Sequence, residues 1–203
     1  MMTQLTDSKR ATILDAATRM FLTHGYSKVS MDTIAEAAPV SKPTLYNYFD
    51  GKPALFGAVI AQQCDDLLHA LTALETSATD LKSGLTVIAR ACVDVVYTPE
   101  SLRLFRLIIA EQSAFPDLGK LAYQSGAAPV LERIAEYLSR VRLPRGIRFD
   151  NLVESARLLL SMLMGDLHLQ CLLGIKANLS AREKERLVER VVRYYISAHH
   201  GDT

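Results

Sequence analysis

Net charge is almost absent from this chain: 23 lysines and arginines stand against 22 acidic residues, a formal balance of +1 over 203 residues. A protein that coats nucleic acid without regard to sequence needs a strongly basic surface. That class is excluded, and any nucleic-acid contact has to come from a local patch. Cysteine is scarce too. Cys64, Cys92 and Cys171 are odd in number and far apart, which excludes a fully paired disulfide framework and matches no metal-ligand spacing. Each lies in an apolar stretch and reads as a small core hydrophobe, since a redox-sensing thiol needs an electropositive, accessible setting. No apolar run is long enough to span a membrane; the longest segment, 158–173, is interrupted by Ser161, Asp166, His168 and Gln170. The opening MMTQLTD has no apolar signal region, so the chain reads as soluble and cytoplasmic. There is no His-Glu-x-x-His, no Cys-x-x-Cys, no glycine-rich phosphate loop and no nucleophile elbow. No catalytic residue, metal or cofactor is expected.

Hydrophobic residues make up 49% of the chain, enough to bury a substantial core. They recur at helical spacing almost throughout, and strand signals are scarce. The expected fold is all-α. A first helix over 8–24 places Ile13, Ala17, Met20 and Phe21 on one face and stops at Gly25. Ser30 can cap a second helix over 31–38 with Ile34, Ala35 and Ala38 inward, ended by Pro39. Ser41 caps a third, in which Pro43 is harmless in the first turn and Leu45 and Phe49 face inward. A long fourth helix covers 52–74. Further helices are expected over 81–97, 101–113, 118–124, 129–141, 150–173 and 180–199, separated by proline and glycine turns.

Three short helices with a tight turn between the second and third form a helix-turn-helix pattern. The third helix is the candidate reader of a DNA major groove. With Leu45 and Phe49 committed to the core, Lys42, Thr44, Tyr46, Asn47 and Tyr48 face outward. Tyrosine hydroxyls reach phosphates, a threonine methyl packs on thymine, and an asparagine amide pairs with a base edge. Lys52, where the fourth helix begins, is placed to hold a phosphate together with free helical amides. Ser30 and Thr33 would touch the flanking DNA backbone. A short helix with two tyrosines is also an ordinary protein surface, and an all-α adaptor that binds protein through it is the competing class.

The order of residues is more specific than their composition. Phe21-Leu22-x-His24-Gly25-Tyr26, Ser30-x-x-Thr33-Ile34-Ala35-x-x-Ala38 and Val40-Ser41-Lys42-x-Thr44-Leu45-Tyr46-x-Tyr48-Phe49-x-x-Lys52-x-x-Leu55 together resemble the TetR/AcrR family of regulators. The resemblance implies a homodimer of all-helical subunits, each with an N-terminal helix-turn-helix head (1–55) and a larger ligand-binding and dimerisation body (56–203). It further implies that Lys42, Pro43, Thr44, Tyr46, Asn47, Tyr48 and Lys52 lie at or near DNA. Two departures stand out. Pro39 occupies a turn position where the family often has glycine, and a proline cannot easily supply a positive φ there, so the turn should take another path. Pro43 stands where many members have glycine or alanine, stiffening the helix start.

In the body, Arg103-Leu104-Phe105-Arg106-Leu107-Ile108-Ile109-Ala110-Glu111 followed by Phe115-Pro116-Asp117-Leu118 resembles the AefR-type C-terminal domains. Two stripes on the last long helices, Leu152, Ala156, Leu159 and Leu163 and then Leu187, Val191, Tyr194 and Ala198, would form a four-helix dimer interface. Packing inside the subunit is the alternative for each. Cys92, Val96, Ile108, Gln112, Phe115, Met164 and His168 are candidate pocket residues, with ordinary core packing again the alternative. Among them, Gln112 and His168 stand out because a buried polar group needs a partner. The expected function is a ligand-responsive repressor that binds a palindromic double-stranded operator as a homodimer. A small apolar or amphipathic effector releases it, and no membrane is involved.

Overall fold

The computed structural model describes residues 2–75 and 80–200, with side chains described for 8–73 and 80–200. The described residues form helices α1 (Met2–His24), α2 (Met31–Ala37), α3 (Lys42–Tyr48), α4 (Lys52–Glu75), α5 (Leu81–Val96), α6 (Pro99–Glu111), α7 (Asp117–Ser125), α8 (Ala127–Arg140), α9 (Leu152–Leu172) and α10 (Ala181–Ala198). Beyond these the backbone pairs in one isolated bridge, Ile147 with His200. No helix among the described residues is long and apolar enough to cross a membrane.

Two compact units are present: Met1–Gln63 with Arg103–Ala127, and Cys64–Leu102 with Ala128–Thr203. The first is built on the three short helices. Ile13, Ala17, Phe21, Ile34, Leu45, Leu55 and Phe56 are all buried in its core. Burying each large aliphatic or aromatic side chain stabilises the unit by about 1.5–3 kcal/mol. Phe21, Tyr26, Phe56 and Phe115 form an aromatic cluster with ring centroids 5.0–5.7 Å apart. The core also takes in Leu104 and Leu118, with Leu107, Ile108 and Leu121 packed on it. The head is therefore larger than the segment 1–55 and recruits residues from beyond it.

Local chemistry sets the helix ends. Gly25, at φ +84°, stops α1. A capping box opens α2: Ser30 Oγ accepts from the Thr33 amide and Thr33 Oγ1 accepts from the Ser30 amide, both at 3.1 Å. The end of α2 departs from expectation. Val40 N–H donates to the Ala35 carbonyl at 3.1 Å, the wide closure of a Schellman turn, and Pro39 takes its left-handed position at φ +22°. The turn thus keeps the glycine-like path despite the proline ring.

In the second unit α5 packs against α9 and α10. Leu85, Ile88, Cys92, Leu159, Val188 and Tyr195 are among its buried residues. Cys64 and Cys92 lie in or against this core, and burial pushes their thiols up to about 11 and about 12. Those values leave both thiols protonated and unreactive at neutral pH. The expected continuous helix 150–173 is broken at Gly165 (φ +26°, ψ −151°). The Tyr97 hydroxyl lies 2.9 Å from the Leu163 carbonyl and 3.1 Å from that of Met164, satisfying acceptors just before the break.

The expected dimer stripes need correction. Ala156, Leu159, Leu163, Leu187 and Val191 are buried in the unit's own core, and Leu152 is half-buried against it. Only Tyr194 and Ala198 of the eight are exposed. Because α9 is apolar over more than one stripe, the residues that α5 and α10 cover are these, and Val153, Leu158, Leu169 and Leu173 are left in solvent.

Candidate nucleic-acid interface

The geometry of α3 follows from its cap and its two anchors. Ser41 Oγ accepts from the Thr44 amide at 3.3 Å and lies 2.7 Å from Thr44 Oγ1, fixing the first turn. Leu45 is fully buried and Phe49 nearly so. With those two inward, Lys42, Pro43, Tyr46 and Asn47 are exposed, while Thr44 and Tyr48 are half-buried at the margins. Tyr46 presents 47% of its surface to solvent.

Charge on this edge is arranged in pairs. Lys42 Nζ lies 2.8 Å from Asp32 Oδ1 and 3.0 Å from Oδ2, joining α3 to α2. That hydrogen bond, reinforced by the carboxylate's charge, raises the lysine's pKa. A pair this exposed adds little stability; its effect is to aim the ammonium. The Arg10 guanidinium sits 5.7 Å from the Phe49 ring centroid. Sequence periodicity could not reveal the Asp32 partner, because the turn at 38–40 separates the two helices and cancels any register between them.

Ser30 and Thr33 are exposed, as a backbone-contacting pair would be, but their hydroxyls serve the capping box. Lys52 corrects the expectation more strongly. Its ammonium donates to the Tyr26 carbonyl at 2.9 Å and the Val29 carbonyl at 3.0 Å, 4.4 Å from the Tyr26 ring centroid. It is turned onto the α1–α2 link and not towards a phosphate. Desolvation lowers its pKa, and the Glu111 carboxylate opposes that.

The candidate pocket residues divide between the two cores. Ile108 and Phe115 pack on the first, whereas Cys92 and His168 are buried in the second unit, with Val96 packed on that core. Met164 is half-buried, and its carbonyl faces the Tyr97 hydroxyl. Gln112 is exposed, so it is not a buried amide in need of a partner. His168 meets Tyr97 edge-to-face at 5.6 Å, and burial lowers its pKa, which keeps the imidazole neutral.

Residues 13–59 match the profile of the bacterial regulatory proteins of the tetR family, and residues 83–200 match that of the AefR-like transcriptional repressor C-terminal domain. The chain belongs to the TetR family of DNA-binding transcriptional regulators. These are regulators and not enzymes. The solved structure of the flavonoid-responsive regulator FrrA is 32% identical, with a TM-score of 0.73 over 97% of this chain and 100% of that one. A TetR-family regulator from Mesorhizobium loti is 29% identical, with a TM-score of 0.79 over 97% of this chain and 98% of its own. The transcriptional activator FasR of Mycolicibacterium smegmatis is 34% identical over 90 residues, 44% of this chain and 41% of FasR. SrpR of Pseudomonas putida is 28% identical over 103 residues, 51% of this chain and 46% of SrpR. The matched stretch thus spans less than half the length of either curated relative. The TetR match in the head covers α2, α3 and the start of α4, the segment whose outward edge is described above.

Proposed function

We propose that this protein is a transcriptional repressor that binds a palindromic operator as a homodimer and is released by a small amphipathic effector. The observation that carries the reading is the outward edge of α3: Lys42, Pro43, Tyr46 and Asn47 exposed over a buried Leu45 and Phe49. This edge combines a cation and a phenol for phosphates with an amide for a base edge. Ser30, Thr33, Thr44 and Tyr48 flank it. Two copies in a dimer would enter major-groove half-sites about one helical turn apart, or a multiple of that.

Repression is favoured by the AefR-like repressor match over 83–200, whereas the activator FasR shares a shorter stretch. Dimerisation is assigned to the solvent-facing apolar residues Val153, Leu158, Leu169 and Tyr194. The buried stripes are already used within the subunit. The effector site is assigned to the second unit, around Cys92, Val96, Met164 and His168. Its class is drawn from FrrA, whose name records a response to flavonoids. An effector acts by binding the DNA-free arrangement more tightly than the DNA-bound one.

The test is selection of genomic duplex fragments by the purified protein, followed by fluorescence anisotropy across ionic strength. Binding that weakens steeply with salt is expected. A flavonoid panel added to the complex should contain at least one member that lowers affinity. If no duplex binds at low ionic strength, or if capture is insensitive to salt, α3 is a protein-docking surface and the reading fails.

A further inference from the structure

Glu111, at the last turn of α6, lies 84 residues from the α1–α2 link in sequence and touches it directly. The Ser27 amide donates to Glu111 Oε1 at 3.2 Å and the Ser27 hydroxyl donates to the same oxygen at 3.1 Å. Gly25 makes room for it: a Cβ there would stand 2.8 Å from Glu111 Oε1. The φ of +84° demands glycine at position 25, and a side chain there would push the Glu111 carboxylate aside.

The same short link is held from two other directions. Lys52 donates to the Tyr26 and Val29 carbonyls from the start of α4. Phe115, four residues beyond Glu111, meets the Tyr26 ring edge-to-face at 5.0 Å and lies 5.7 Å from the Lys52 ammonium. The Glu111 carboxylate also opposes the lowering of the Lys52 pKa that desolvation causes. Residue 30 follows directly as the cap of α2, and α2 carries the Asp32 that holds Lys42 on α3. From Glu111 the path to the outward edge runs through two hydrogen bonds to Ser27, the short backbone of residues 28–29, the capping box of α2, and α2 itself.

We infer that Glu111 is a positioning residue for DNA reading: by pinning the Ser27 amide and hydroxyl it sets the α1–α2 link from which α2 and α3 are aimed. Neither it nor Phe115 lies in the helix-turn-helix segment, and neither needs to touch DNA. This inference rests on the reading of α3 as the groove-entering helix.

The experiment uses the full chain with Glu111→Ala, Glu111→Gln and Ser27→Ala, read by hydrogen exchange without DNA and by anisotropy on a selected duplex. Glu111→Ala is expected to raise amide exchange across 26–48 while leaving α5 and α10 unchanged. It should also weaken duplex binding by about tenfold, the scale of one charge-assisted hydrogen bond. The salt slope should not move, because no phosphate contact is lost. Glu111→Gln keeps an oxygen acceptor and should recover most of the protection and affinity. Ser27→Ala should cost less in the presence of Glu111→Ala than alone. Unchanged exchange in 26–48, loss of protection throughout the chain, or a salt slope lowered by one unit would overturn the inference. Failure of the parent protein to bind any duplex would instead sink the reading of α3, and the exchange arm would still decide whether Glu111 holds the link.

Discussion

Two lysines on one head have opposite assignments, and salt separates them. Lys42 is exposed and only lightly held by Asp32, so a phosphate can capture it. Lys42→Ala should weaken duplex binding and reduce the salt slope by about one unit. Lys52 spends its three protons inside the head, on two carbonyls and against an aromatic ring. Lys52→Ala should also weaken binding, through the link that it steadies, yet leave the slope where it was. Anisotropy of both variants between low and moderate salt decides the matter; equal slopes would place both lysines in one role. Tyr46→Ala should lose affinity with the thermal transition unchanged, because nearly half of that side chain is already in solvent. The buried anchors Leu45 and Phe49 were legible in the sequence, since a four-residue spacing on a helix puts both on one face. The fate of Lys52 was not. Whether a lysine at a helix start faces a phosphate or a neighbouring carbonyl depends on residues 23 and 26 positions earlier, which no local pattern connects.

At the scale of the element, backbone geometry and close packing set the sign of two small substitutions. Pro39 holds a position in the α2–α3 turn that needs a positive φ, and it has no N–H to make the turn's inner bond. Strain of this kind costs about 1–3 kcal/mol, against the roughly 0.4–1 kcal/mol of chain entropy that a glycine adds to the unfolded state. Pro39→Gly should therefore raise the melting temperature by about 2 °C, and a fall would show that the turn tolerates the ring. Gly84 is the reverse case. Alanine in a helix interior is normally better than glycine by about 1 kcal/mol, but a methyl group at position 84 of α5 would overlap the Tyr137 hydroxyl. Tyr137 is buried, and overpacking of this kind costs about 1–3 kcal/mol. Gly84→Ala should lower stability in thermal unfolding. Helix number and order were legible from apolar spacing and turn residues. The break in α9 was not, because Gly165 sits among strongly apolar neighbours and one glycine inside a helical pattern is commonly tolerated.

At the scale of the whole molecule, most residues of the expected dimer stripes are buried within their own unit, and the reason is general. An apolar stripe states that a face is covered; it does not state by what. On α9 the deepest stripe belongs to α5 and α10 of the same chain, and the shallower residues are left in solvent, where the proposed dimer would use them. Leu158→Arg, on an exposed position, should shift the protein towards monomer in sedimentation without lowering its helix content. Leu159→Arg should instead unfold the second unit, since Leu159 is fully buried. A dimer unmoved by Leu158→Arg would place the interface on other residues. The protonated state of the sulfhydryl groups has a practical side. At pH 7 a thiol with a pKa near 11 is ionised in only about one molecule in ten thousand. Cys92 is ionised less still, and Cys171 is sealed in the interior. The parent chain should therefore be nearly silent towards maleimide dyes, and a single cysteine introduced at Asn47 would take the label alone, turning α3 into its own fluorescent reporter.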